Sequence, residues 1–121
     1  LRGGDGRPNY DTVSVAMAEQ ALKKAKLAAN IIVDCSHANS YKKPELQPLM
    51  MAHVINHVVN GNQALVGVMI ESNIVAGNQK IPEDLSQLTY GCSVTDACVD
   101  WQTTETMIRD AAARLRHRPT Q

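Results

Sequence analysis

The sequence predicts an α/β fold in which helices cover a sheet of parallel strands. Two short apolar runs, residues 31–33 and 65–70, have the length and composition of buried strands. Helical patterns precede, separate and follow these runs, and such alternation is typical of a parallel sheet. Two strands, with a stub of a third at residues 1–2, are too few for a complete sheet. We therefore expect open sheet edges that can pair with further strands.

Each helix is predicted from the spacing of its apolar residues and from signals at its ends. The first should cover residues 12–26, because Asp11 or Thr12 can cap its start and lysines crowd its last turn. The second should begin at Pro44, which suits a first helical position, and the third should cover residues 103–116. The second helix is expected to turn one apolar face to the core: Leu46, Leu49, Met50, His53, Val54, His57 and Val58.

Composition narrows the class of protein. With 121 residues, 44% of them hydrophobic, the chain can form one ordinary domain, and its formal net charge of zero gives no long-range attraction to nucleic acid or anionic lipid. No apolar run approaches the roughly 20 residues that span a bilayer, and no leader pattern opens the chain. We expect a cytoplasmic protein without nucleic-acid or membrane partners. The start on Leu-Arg-Gly-Gly, without Met, suggests a piece of something longer.

Polar side chains that can bind a metal or an anion follow both predicted strands. The first strand ends in a group made by Asp34, Ser36, His37 and Asn39, and Glu71 directly follows the second strand. A single polar residue at a strand end is usually solvated loop. Parallel strands, however, bring their carboxyl ends to one edge of a sheet, so His37 and Glu71 can face the same pocket. The segment around Asp96 should bring a further carboxylate towards these strand ends.

Other candidate ligands are weaker. His53 and His57 stand four residues apart and could in principle bind a metal from one helix face. Because they lie in the apolar stripe without a carboxylate in register, we expect packed or partly exposed helix residues. The three cysteines are odd in number and lack Cys-x-x-Cys spacing, so reduced and mostly buried thiols are expected.

Several motifs, taken in their order and spacing, resemble the C-terminal third of the enzymes of one family. These are the bacterial, aromatic-feedback-regulated class I synthases of 3-deoxy-D-arabino-heptulosonate 7-phosphate (DAHP). The motifs are Leu1-Arg2-Gly3-Gly4 with Pro8-Asn9-Tyr10, then Asp34-Cys35-Ser36-His37-Ala38-Asn39, Gly67-Val68-Met69-Ile70-Glu71-Ser72, Gly77-Asn78-Gln79, Tyr90-Gly91 and Thr95-Asp96-Ala97-Cys98. Together they span nearly the whole chain.

The resemblance implies a (β/α)8 barrel, with active-site residues at the carboxyl ends of its strands. Residues 1–121 would be the C-terminal fragment of that single barrel: the end of strand 6, helix 6, and βα units 7 and 8. The family condenses phosphoenolpyruvate with erythrose 4-phosphate to DAHP and phosphate, the first step of the shikimate pathway to aromatic amino acids. The implied partners are these two small molecules and further copies of the enzyme in a homo-oligomer.

The same resemblance implies roles for individual residues. His37, Glu71 and Asp96 match three of the four ligands of a divalent metal, with His37 and Asp96 also catalytic, and Arg2 matches an arginine that binds the phosphate of phosphoenolpyruvate. The fourth ligand, a cysteine, belongs to an earlier part of the barrel and is not Cys35. A mixed nitrogen and oxygen ligand set suits Mn, Fe or a similar ion.

Two alternatives stay open. A related synthase, which makes an eight-carbon sugar acid from arabinose 5-phosphate, shares the barrel and phosphoenolpyruvate. A subunit-binding αβ module without chemistry would have the same element order. The first differs in its sugar substrate, and the second would bind no metal.

Overall fold

The computed structural model describes residues 1–117 and confirms the predicted order of helices and strands. The elements are helix α1 (Thr12–Lys24), strand β1 (Ile31–Asp34), helix α2 (Gln47–Val59), strand β2 (Leu65–Met69) and helix α3 (Trp101–Arg116). Asp11 caps α1, since its side chain accepts a hydrogen bond from the backbone N–H of Ser14. Among residues 1–117, no helix is both long enough and apolar enough to cross a membrane.

The two strands pair in parallel, with Ile31 opposite Leu65 and Asp34 opposite Met69. The chain start lies along the other edge of β1, where the amino group of Leu1 donates to the carbonyl of Ile32 at 2.7 Å and Leu1 in turn accepts from the N–H of Asp34 at 2.8 Å. The stub expected at residues 1–2 therefore bonds β1 through its backbone, although it is not a regular strand. As a result, three chain segments end side by side.

Two apolar clusters hold the helices on this small sheet. In the first cluster, Val15 of α1 and Val54 of α2 pack with Val33 and Leu65 of the strands. In the second, Met51 and Ile55 of α2 pack with Met107 and Ala111 of α3. Helix α2 contributes to both clusters, so it ties the sheet to both neighbouring helices.

The inward face predicted for α2 is partly wrong. Leu49 is 62% exposed, whereas the buried residues of the helix are Gln47, Met51, Val54 and Ile55. Apolar residues lie on most sides of this helix, and periodicity alone therefore cannot decide which side faces the core. Only the contacts with the sheet and with α3 select the buried side.

The two histidines of α2 are packed helix residues, as predicted. The His53 ring meets the Tyr10 ring edge to face, with ring centres 5.1 Å apart, and His57 Nε2 lies 2.9 Å from the hydroxyl oxygen of Thr12. Burial lowers the pKa of His53, and the neighbouring His57 lowers it further. These contacts join α2 to α1 and its N-terminal turn.

Candidate metal and anion site

His37 lies where the chain leaves β1 and turns away from the sheet. Its backbone has a φ of 46°, in the left-handed region that residues with a Cβ rarely adopt. It begins a short 3₁₀ turn at His37–Ser40, which is closed by Tyr41, also left-handed with φ 52°. A strained backbone persists only where the surrounding structure holds it in place, and such residues cluster at functional sites.

The His37 ring is bound by polar groups from its own loop. Asp34 Oδ2 lies 2.6 Å from His37 Nδ1, and Ser36 Oγ lies 2.9 Å from the same nitrogen. Asp34 Oδ1 accepts from both the N–H and the hydroxyl of Ser36. Asp34 and Ser36 are themselves buried, so the ring is fixed against a rigid support.

Glu71 stands just beyond β2, and its backbone is held by one fully buried side chain. Gln47 accepts from the N–H of Glu71 at 2.9 Å and donates to its carbonyl at 3.1 Å. Burial raises the pKa of the Glu71 carboxyl, and the negative charges of Asp96 and Asp34 add to this effect, while His37 opposes it. The site thus concentrates carboxylates around a single imidazole.

Asp96 reaches the strand ends from the long connection between β2 and α3. Backbone bridges pair Ser72 with Val99 and Gly77 with Cys98, which folds this connection back on itself. The side chain of Asp96 is 49% exposed, and its Oδ2 lies 3.8 Å from His37 Nε2. The connection therefore carries the carboxylate that was expected to return to this edge.

The structure brings His37, Glu71 and Asp96 together, and their geometry fits a metal ion. One ligand atom from each lies within 4.8 Å of the others, and Glu71 Oε1 is 3.6 Å from His37 Nε2. Two ligands that each lie about 2.1 Å from a tetrahedral ion are roughly 3.4 Å apart, close to the 3.6 and 3.8 Å that separate His37 Nε2 from Glu71 and Asp96. A cation would also offset the charge of the crowded carboxylates.

Arg2 is placed beside this cluster, in a cavity of about 540 Å³ that His37, Tyr41 and Lys42 also line. Asn39 and Asn9 fix the loop that carries Arg2. The buried Asn39 amide donates to the carbonyl of Leu1 at 3.1 Å and accepts from the N–H of Asn9 at 2.7 Å. Within residues 1–117 the guanidinium forms no hydrogen bond or ion pair, and it is exposed, so it is available to an anion.

The Cys35 side chain lies in the core and is not among the three clustered side chains. It is fully buried among the apolar residues of the second cluster, and burial, with a smaller effect of the Asp34 charge, raises its thiol pKa to about 12. Nucleophilic chemistry needs the thiolate, which a thiol of this pKa does not supply near neutrality. The described cysteines are all free, and two of the three are buried.

Two residues that shape the site have no separate role in the prediction from sequence. Asp34 appears there only within the polar group that ends β1, although its place three residues before a candidate ligand histidine was a usable signal. Gln47 gave no signal, because a glutamine at a helix start reads as a solvated residue. Its partner, the Glu71 backbone, lies 24 residues further along the chain.

An α/β chain with polar side chains converging at the carboxyl ends of parallel strands has the architecture of an α/β enzyme. Residues 1–109 match the model of the DAHP synthetase I family. The chain is 43% identical, over 91% of its length, to the Tyr-sensitive phospho-2-dehydro-3-deoxyheptonate aldolase of Escherichia coli, and covers 31% of that enzyme. It is 44% identical to the tyrosine-inhibited enzyme of this name from Schizosaccharomyces pombe, with 98% of the chain and 32% of the relative covered.

A solved structure gives the same result. The phospho-2-dehydro-3-deoxyheptonate aldolase of Francisella tularensis superposes with a TM-score of 0.91 at 40% identity, covering 99% of this chain and 34% of the neighbour. The chain belongs to the DAHP synthetase I family. It spans about a third of the length of these relatives.

Proposed function

We propose that this chain is the C-terminal third of a DAHP synthase, which condenses phosphoenolpyruvate with erythrose 4-phosphate. The observation that carries the proposal is the convergence of His37, Glu71 and Asp96 within 4.8 Å at the carboxyl ends of the strands, in a chain of this family. In the proposed barrel, residues 1–121 provide the end of strand 6, helix 6, and βα units 7 and 8. The backbone bonds along both edges of β1 are consistent with this order.

The three clustered residues would hold a divalent ion, with a cysteine from the preceding part of the enzyme as fourth ligand. A nitrogen and oxygen donor set favours Mn, Fe or a similar borderline ion. When bound, such an ion acts as a Lewis acid that polarises the aldehyde carbonyl of the sugar phosphate. His37 and Asp96 would contact the ion and would be catalytic in this sense, and Gln47 keeps the Glu71 backbone in position.

Arg2 would bind the phosphate of phosphoenolpyruvate. Its planar guanidinium can form two parallel hydrogen bonds to phosphate oxygens, and it lines the same cavity as His37. The Gly3 backbone, with a φ of 76°, packs so closely on Ala38 that an added Cβ would lie 2.6 Å from the Ala38 Cβ. This contact fixes the distance between the segment that carries Arg2 and the turn that carries His37.

The complete enzyme would be a cytoplasmic homo-oligomer that acts on these two small molecules, without nucleic-acid or membrane partners. Exposed apolar side chains such as Ile74, Ile81 and Tyr90 favour further contacts with protein surfaces.

A metal titration of the complete enzyme tests the site. After removal of metal, Mn²⁺ should restore turnover of the wild type, whereas His37→Ala should lose both Mn²⁺ affinity and turnover. His57→Ala, a histidine of α2 outside the cluster, is the matched control and should keep both. Normal metal content and turnover in His37→Ala would show that the site is assigned wrongly.

The choice of sugar substrate separates the alternatives. Phosphoenolpyruvate consumption should require erythrose 4-phosphate, and arabinose 5-phosphate should not replace it. A preference for arabinose 5-phosphate would favour the related eight-carbon synthase. Absence of turnover with both sugars, together with absence of metal binding, would favour a module without chemistry.

A further inference from the structure

The two ring nitrogens of His37 have different surroundings. Nε2 faces the candidate metal ligands Glu71 and Asp96 at 3.6 and 3.8 Å. Nδ1 instead faces Asp34 Oδ2 at 2.6 Å and Ser36 Oγ at 2.9 Å. The hydroxyl proton of Ser36 is directed at Asp34 Oδ1, 2.7 Å away, so Ser36 Oγ presents a lone pair to the ring.

Both groups beside Nδ1 are therefore acceptors, and a neutral imidazole has only one N–H to donate. We infer that Asp34 is a positioning residue, which places the proton of His37 on Nδ1 and leaves the Nε2 lone pair free for the ion. Asp34 itself would not touch the ion. The inference rests on the proposed function for the presence of the ion, but the location of the ring proton can be measured without it.

Replacement of Asp34 by asparagine gives a sharp test, because the backbone N–H of Ser36 decides how the new amide is oriented. This N–H is a fixed donor 2.8 Å from Asp34 Oδ1, so the carbonyl oxygen of an asparagine must occupy that position. Its NH₂ group would then point at Nδ1 and donate to it. The ring proton should move to Nε2, where it blocks the lone pair that binds the ion.

The experiment uses the complete enzyme, freed of metal and labelled with ¹⁵N-histidine, over an alkaline pH range in which the His37 ¹⁵N shifts no longer change with pH. The His37 signals are assigned by their loss in His37→Ala. We expect a protonated Nδ1 in the wild type and a protonated Nε2 in Asp34→Asn. The Mn²⁺ affinity of Asp34→Asn should fall by about 10- to 100-fold, as is usual when the support of a ligand is removed.

The control is Asp110→Asn, which removes the same charge from an exposed position on α3 and should leave Mn²⁺ affinity unchanged. A wild-type spectrum with the proton on Nε2 would overturn the inference even if Asp34→Asn does not fold. A second outcome would overturn only the role of Asp34: a folded Asp34→Asn binds Mn²⁺ as tightly as the wild type, while His37→Ala does not bind it. The proposed metal site would then still hold. Normal affinity in His37→Ala would overturn the site and this inference together.

Discussion

Gln47→Met should destabilise the complete enzyme and loosen the proposed metal site, although Gln47 lies on a helix and its replacement removes no charge. The Gln47 side chain is 1% exposed, and it bonds both the N–H and the carbonyl of Glu71. Methionine has a similar length and no branch, so it fills the same space without leaving a large cavity. What the substitution removes is the pair of hydrogen bonds.

The expected cost follows from what each Glu71 group retains. The carbonyl keeps a second partner, because the N–H of Val99 also donates to it at 3.0 Å, whereas the N–H of Glu71 has Gln47 as its acceptor. An orphaned N–H costs about 1–3 kcal/mol and the other lost bond about 1 kcal/mol, so the free energy of unfolding should fall by about 2–4 kcal/mol. For a large domain, at roughly 2–4 °C per kcal/mol, this corresponds to a fall in Tm of roughly 4–16 °C.

Thermal melting of the metal-free complete enzyme measures this effect, and a Mn²⁺ titration measures the displacement of Glu71. Gln102→Met is the matched control, since Gln102 occupies an exposed position at the start of α3 and should change stability by less than about 0.5 kcal/mol. If Gln47→Met has the same Tm as Gln102→Met and binds Mn²⁺ as tightly as the wild type does, the hydrogen bonds from Gln47 do not hold the Glu71 backbone in place.

Three further outcomes are expected. Arg2→Lys keeps the charge but loses the bidentate fork, so the KM for phosphoenolpyruvate should rise in steady-state kinetics while Tm stays within a degree or so of the wild type; a large loss of stability with unchanged kinetics would contradict this. Burial raises the pKa of the Cys35 thiol to about 12, so at pH 8 it should react with iodoacetamide far more slowly in the native enzyme than in the urea-unfolded chain. Peptide mass mapping measures both rates, and equal rates would show that Cys35 is not buried. The 121-residue chain alone should be inactive, and light scattering should show that it associates through its open sheet edges. Mixing it with the N-terminal remainder of the enzyme should restore phosphoenolpyruvate consumption. A stable, active monomer would refute this prediction.

The sequence by itself determined the element order and the residues that meet at the strand ends. Apolar runs and helix caps are local signals, so β1, β2 and the start of α1 follow from neighbouring residues alone. Because parallel strands share a carboxyl edge, the proximity of His37 and Glu71 also follows from the order of the elements. Asp96 was expected near them because the segment before α3 was predicted to return to the same edge.

Only the tertiary structure decided which side of α2 is buried and what supports each candidate ligand. Leu49 and Met51 are equally apolar, and the packing of α2 against the sheet and α3 selects Met51 for the core. The Gln47 amide is buried because the Glu71 backbone needs a partner there, and the acceptors beside His37 Nδ1 depend on a left-handed turn. Such choices depend on contacts between residues distant in sequence, or on a backbone conformation that no periodic pattern records.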